Sequence, residues 1–104
     1  MFNTYTEEDY TVISPQTDLT GNASDKLREL MQNFTEDGKE KYLFNLEKVG
    51  EIDALGVSVF LVLKEFSKKK NGKIEFKIIN AHKDLYNLFH AIKVYSLEDV
   101  RKNT

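Results

Sequence analysis

The period of apolar and polar positions changes several times along the chain, and each change marks an element. Residues 2–6 and 9–14 are rich in Thr, Tyr, Val and Ile, which suit a pleated surface, so two short strands are expected with a tight turn at Glu7-Glu8. Pro15 has no amide proton to donate and is expected to close the second strand. Ala23, Leu27, Leu30, Met31 and Phe34 then fall on one face of a 3.6-residue period, with Asp25, Lys26, Arg28, Glu29 and Gln32 on the other. That is an amphipathic helix, with Asn22 or Thr20 as the expected N-cap and Gly38 in the turn that ends it.

Tyr42 to Leu46, YLFNL, reads as a strand buried mostly on both faces. A second helix is expected from Ala54 to about Lys70. Leu55, Val59, Leu63 and Phe66 form its stripe, and Val57, Phe60, Leu61 and Val62 widen it, so the helix is expected to be largely buried. Lys68, Lys69 and Lys70 place cations at the negative helix end, and Asn71-Gly72 supplies the turn. From Lys73 to Ile79 the pattern alternates: Ile74, Phe76 and Ile78 face inward, Lys73, Glu75 and Lys77 outward. Leu85, Leu88, Phe89 and Ile92 define a third helix. The tail from Val94 reads as a strand-like piece and then a last helical turn capped by Ser96, with Asp99 three residues on.

The resulting order is β-β-α-β-α-β-α. Helices between successive strands are crossovers, which make those strands parallel. The fold class is therefore α/β, a mixed sheet of about four to five strands with helices packed on it. The 104 residues form a single domain, 1–104, with no repeat and no Gly/Ser-rich linker.

Composition narrows the function. The net charge of −2 lacks the basic excess of a nucleic-acid binder or an electrostatic membrane anchor. No cysteine is present, which removes disulfides and cysteine-ligated zinc. The longest apolar run, Val57–Leu63, is too short to span a bilayer, and the N-terminal residues lack the basic and apolar regions of a signal peptide. A cytoplasmic protein without membrane insertion is expected. The sequons at Asn22 and Asn33 are then read as chance.

Catalytic and cofactor patterns are missing. His82 and His90 stand eight apart, not at the i, i+4 spacing of a helical metal pair, and read as surface or half-buried structural residues. Glu7-Glu8-Asp9 reads as a wet turn. The glycines Gly21, Gly38, Gly50, Gly56 and Gly72 are isolated, so no phosphate loop exists, and there is no GxSxG elbow. The expectation is a binding module, not an enzyme, with no cofactor and no metal.

One stretch stands apart: EIDALGVSVF, residues 51–60. Asp53 is a good N-cap, since its carboxylate accepts from free amides and favours the positive helix end. Gly56 permits close approach of a neighbouring backbone. A strand–loop–helix of this kind places the helix start at the carboxyl edge of a parallel sheet, where partners and ligands of such sheets meet the protein.

The chain resembles the STAS domain of bacterial anti-anti-sigma factors (anti-sigma factor antagonists) over about Tyr10 to Val100. IDALGVSVFLVL is similar to the family's D-S-S-G-L-G-V-L element, PQTDLTGNA to its G-E-L-D-x-x-T-A turn, and GKIEFKIINAHKDLYNLFHAIKV to its last strand and helix. The resemblance implies a protein-binding module that engages an anti-sigma factor with serine kinase activity, as a monomer or weak dimer. It implies a partner-binding surface at Asp18, Asp53, Ala54, Leu55 and Gly56. In that family the first Ser after the Asp is the phospho-acceptor, and phosphorylation releases the partner. Here Ala54 stands at that position and Leu55 at the second Ser, so the usual switch is absent. Ser58, one turn on, is the candidate for a shifted acceptor, although packing into the core is the favoured reading for it. Thr17, Thr20 and Ser24 are other hydroxyls expected near the rim. Two alternatives stand beside the antagonist: a divergent STAS scaffold subunit of a stress-signalling complex or lipid-transport system, and, more weakly, a small-ligand or nucleotide binder at the helix start. Asp53 opposes the last, because it already occupies the positive end.

Overall fold

In the computed structural model, which describes residues 1–69, 73–94 and 100–102, the chain opens with an antiparallel hairpin. Strand β1 (Phe2–Glu7) pairs with β2 (Tyr10–Pro15) from Phe2↔Pro15 to Glu7↔Tyr10. The turn falls on Glu8 and Asp9, one residue later than expected, and Glu8 takes the left-handed conformation (φ 57°) that tight turns demand. Pro15 closes β2 as expected.

Crossovers then alternate regularly: α1 (Asn22–Glu36), β3 (Lys41–Asn45), α2 (Ala54–Lys69), β4 (Glu75–Ala81), α3 (Lys83–Ala91) and β5 (Val100–Lys102). The sheet order is β1-β2-β3-β4-β5, parallel from β2 onward. This is the expected mixed sheet and element order, with β5 added after α3. The expected closing turn with Ser96 and Asp99 lies outside the described residues, as does the Asn71-Gly72 turn.

The core is built where the three helices meet the sheet. Phe60 of α2 packs edge-on against Phe44 of β3 (centroids 4.9 Å) and Phe89 of α3 (5.0 Å), and Phe76 of β4 packs against Phe44. Ala23, Leu27 and Met31 bury the inner face of α1, and Ile74, Phe76 and Ile78 are buried as the alternation predicts.

Three local expectations are corrected. The N-cap of α1 is Gly21, not Asn22 or Thr20, with φ 55° and ψ −124° and no side-chain cap of its own. On β3, Tyr42 and Phe44 are buried while Leu43 and Asn45 are half-buried, because only Tyr42 and Phe44 point into the aromatic core under the helices. Helix α2 is not buried all round: Leu61 is 36% exposed, Phe66 38% and Val62 51%. It has more apolar surface than the fold itself covers.

Truncating the aromatic junction tests this packing. Phe60→Ala is expected to lower stability by about 3–5 kcal/mol, read as a lower urea midpoint with an unchanged denaturant slope.

Candidate functional site

Two loops meet at the carboxyl end of β2 and β3. Leu19, wholly buried, forms a parallel bridge with Ile52: its amide donates to Glu51 O (2.9 Å) and its carbonyl accepts from Asp53 N (2.9 Å). The β2–β3 pairing thus resumes in the loops and sets the start of α1 beside the start of α2. The Asp18 carboxylate secures the second loop, accepting from Gly50 N (2.7 Å) and Glu51 N (3.2 Å).

Asp53 joins the two helix starts. Its Oδ1 accepts from Gly56 N (2.9 Å), the N-cap bond of α2, and from the Ser24 hydroxyl (2.6 Å) of α1. Its Oδ2 accepts from Gly21 N (2.8 Å), the N-cap residue of α1. One carboxylate therefore caps its own helix and supplies the acceptor that α1 lacks. Ser24 is fully buried, so its hydroxyl is committed to this bond. The Ser24 hydroxyl first, then the Gly56 and Gly21 amides, hold the Asp53 carboxyl below its ordinary value, because each bond favours the ionised form.

Gly56 is required by close packing. A Cβ there would lie 2.7 Å from Ile52 Cγ1 and 3.1 Å from Leu19 O. The same crowding that excludes a side chain holds α2 against the loop bridge.

Outside this frame the first turn of α2 is open. Ala54 is exposed, and Leu55 is exposed beside it. The structure brings Asp18, Asp53 and Gly56 into one rim and leaves Ala54 and Leu55 on its outer side. Ser58 is half-buried, donates its hydroxyl to Leu55 O (2.6 Å) and lines the groove between α1 and α2. It is a groove residue rather than a core residue. Thr17 and Thr20 are exposed.

His82 belongs to the same edge. It is the N-cap of α3, its Nδ1 accepting from Asp84 N (3.1 Å). That acceptance fixes the tautomer, so Nε2 carries the proton and donates to Gly50 O (2.8 Å). The half-buried structural histidine of the sequence reading thus ties α3 to the loop that Asp18 holds. Among the described residues, no group of three or more His, Asp or Glu side chains could hold a metal ion, and no helix is long and apolar enough to cross a membrane.

Two outcomes are expected. Gly56→Ala should cost about 1–3 kcal/mol in urea denaturation, because the loop bridge must move to admit the methyl. For Asp53 the folded pKa lies below the unfolded one. Its stabilising contribution is full above the ordinary carboxylate value, roughly pH 4, and is lost as pH falls through the lowered pKa. Asp53→Asn should therefore be less stable at neutral pH and should converge on the wild type in acid, read as urea midpoints against pH.

The comparisons agree with this architecture. The family model for the STAS domain matches residues 1–104. A candidate anti-sigma factor antagonist of Thermotoga maritima is similar in structure at 15% identity, with 97% of this chain and 86% of that chain covered and a TM-score of 0.79. The Bacillus cell fate determinant SpoIIAA in its phosphorylated form is similar at 16% identity, covering 100% and 92% of the two chains with a TM-score of 0.74. The murine anion transporter Slc26a9 matches over 92% of this chain but 16% of its own, at 15% identity and a TM-score of 0.64. No curated protein matches by sequence. A family match that spans the chain, on a fold with a mixed sheet and this helix order, leads to one assignment: the chain belongs to the STAS domain family.

Proposed function

We propose that the chain is an anti-sigma factor antagonist-like binding module in bacterial transcription regulation. Its partner is an anti-sigma factor with serine kinase activity, and its contact surface is the rim of Asp18, Asp53, Ala54, Leu55 and Gly56. The carrying observation is the Asp53 carboxylate, bonded at Gly21, Ser24 and Gly56, with exposed Ala54 as the next residue. The similarity in structure to the anti-sigma factor antagonist SpoIIAA supports the class of partner.

The chemistry at position 54 follows from the side chain. A phosphoserine there would add roughly −1.5 to −2 charges beside Asp53, whose oxygens already take the nearby donors. A methyl group accepts no phosphate. The rim therefore stays in its unphosphorylated, binding-competent form, and control passes to the abundance of the chain or to another hydroxyl. Ser58 is the nearest such candidate on α2, and its modification would break the bond to Leu55 O.

A second reading has its own support. Leu55 is 36% exposed and apolar where the resembled motif carries a hydroxyl. An apolar group at a rim suits an interface that remains closed, as in a scaffold subunit of a stress-signalling complex or lipid-transport system. Recovery of partners from native cytoplasm separates the readings: a kinase-type anti-sigma factor supports the first, and stable scaffold or transporter subunits support the second.

The switch is tested with the recovered kinase and ATP. The wild type is expected to take no phosphate at position 54, by mass spectrometry, and to bind equally with and without ATP. Ala54→Ser is expected to gain phosphate and to lose at least about tenfold in affinity on ATP addition, which is ~1.4 kcal/mol. Phosphate on wild-type Ser58 would contradict the loss of the switch and show that it has moved.

A further inference from the structure

The surplus apolar surface of α2 lies along a groove of about 450 Å³ between α1 and α2, which runs away from the loop rim. Both helices are crossovers between parallel strands, so they run in the same direction. Arg28 and Ser58 mark one end of the groove, and Glu36 and Phe66, which also share a smaller recess, mark the other.

The distribution of these residues is antisymmetric. On α1, Arg28 and Glu36 are opposite charges placed equally on either side of exposed Gln32. On α2, a small residue, Ser58, and a large one, Phe66, are placed equally on either side of Val62. Val62 is 51% exposed and Phe66 38%. A surface with plus and minus ends, and small and large ends, about a common midpoint complements itself when turned through 180°. That is the requirement of an isologous interface, in which each contact occurs twice.

We propose that the groove is a homodimer interface, in which a second copy packs antiparallel about a twofold axis passing by Gln32 and Val62. Arg28 then faces the partner's Glu36, Phe66 packs over the partner's Ser58, and the two Val62 side chains meet at the axis. Arg28 already bonds Asp25 at 2.7 Å, but its guanidinium has five donors and is half exposed, so it serves a second carboxylate. The exposed ion pairs set orientation more than affinity, and the apolar centre supplies the attraction. The dimer is accordingly weak. Its test involves no partner protein, so it stands or fails separately from the antagonist reading.

Sedimentation velocity on the whole chain, between about 10 µM and about 1 mM, reads the association directly. The wild type is expected to pass from monomer to dimer over this range. Val62→Glu should weaken dimerisation at least about tenfold. Arg28→Glu should weaken it too, and the double variant Arg28→Glu/Glu36→Arg should recover it, because the swap restores opposite charges across the axis. Unchanged far-UV circular dichroism in each variant keeps misfolding out of the comparison. A chain that stays monomeric throughout, a dimer indifferent to Val62→Glu, or a charge swap that restores nothing would overturn the proposal. So would a monomeric chain whose Val62 and Phe66 are protected by a different protein helix or by lipid vesicles.

Discussion

The Asp53 carboxylate is the point on which the edge where the two helix starts meet depends. It accepts from Gly56 at the start of α2 and from Gly21 and Ser24 at the start of α1. Helix starts leave amides without partners, and two such starts brought together would repel through their positive ends. A single anion between them satisfies donors on both sides and offsets both dipoles. The loop bridge of Leu19 and Ile52 and the close packing at Gly56 bring the two starts near enough for one side chain to serve them.

This arrangement explains why the main helices and strands are legible in the sequence and the site only partly so. Apolar spacing reports what faces the core, and it marked α1, β4 and α3 through residues such as Leu27, Phe76 and Phe89. The N-cap role of Asp53 toward Gly56 is local, three residues apart, and was equally readable. Its bonds to Ser24 and Gly21 span 29 and 32 residues, and no local spacing encodes them. Gly21 replaced the expected Asn22 or Thr20 as cap because the acceptor for that turn arrives from another loop. The role of His82 was hidden for a similar reason: its Gly50 partner lies 32 residues away. Helix α2 misled in the opposite direction. Its apolar width implies burial, whereas part of it faces outward as a surface.

The edge and the groove draw on different turns of α2. At the helix start, polar bonds fix a rim on whose outer side Ala54 and Leu55 are exposed. Farther along, Val62 and Phe66 offer apolar contact that the fold does not consume. A partner at the rim and a second copy at the groove would touch the same helix on separate turns. Such a division would let association and partner binding be measured apart, although both bear on the position of α2.

The central claim is that one carboxylate holds both helix starts, and amide hydrogen exchange at Gly21 and Gly56 tests it most directly. In the wild type both amides should be protected. In Asp53→Ala both should exchange faster together, while an amide in the centre of the sheet, such as that of Phe44, keeps its relative protection. Faster exchange at Gly56 alone, with Gly21 unchanged, would show that Asp53 caps only its own helix and would contradict the account.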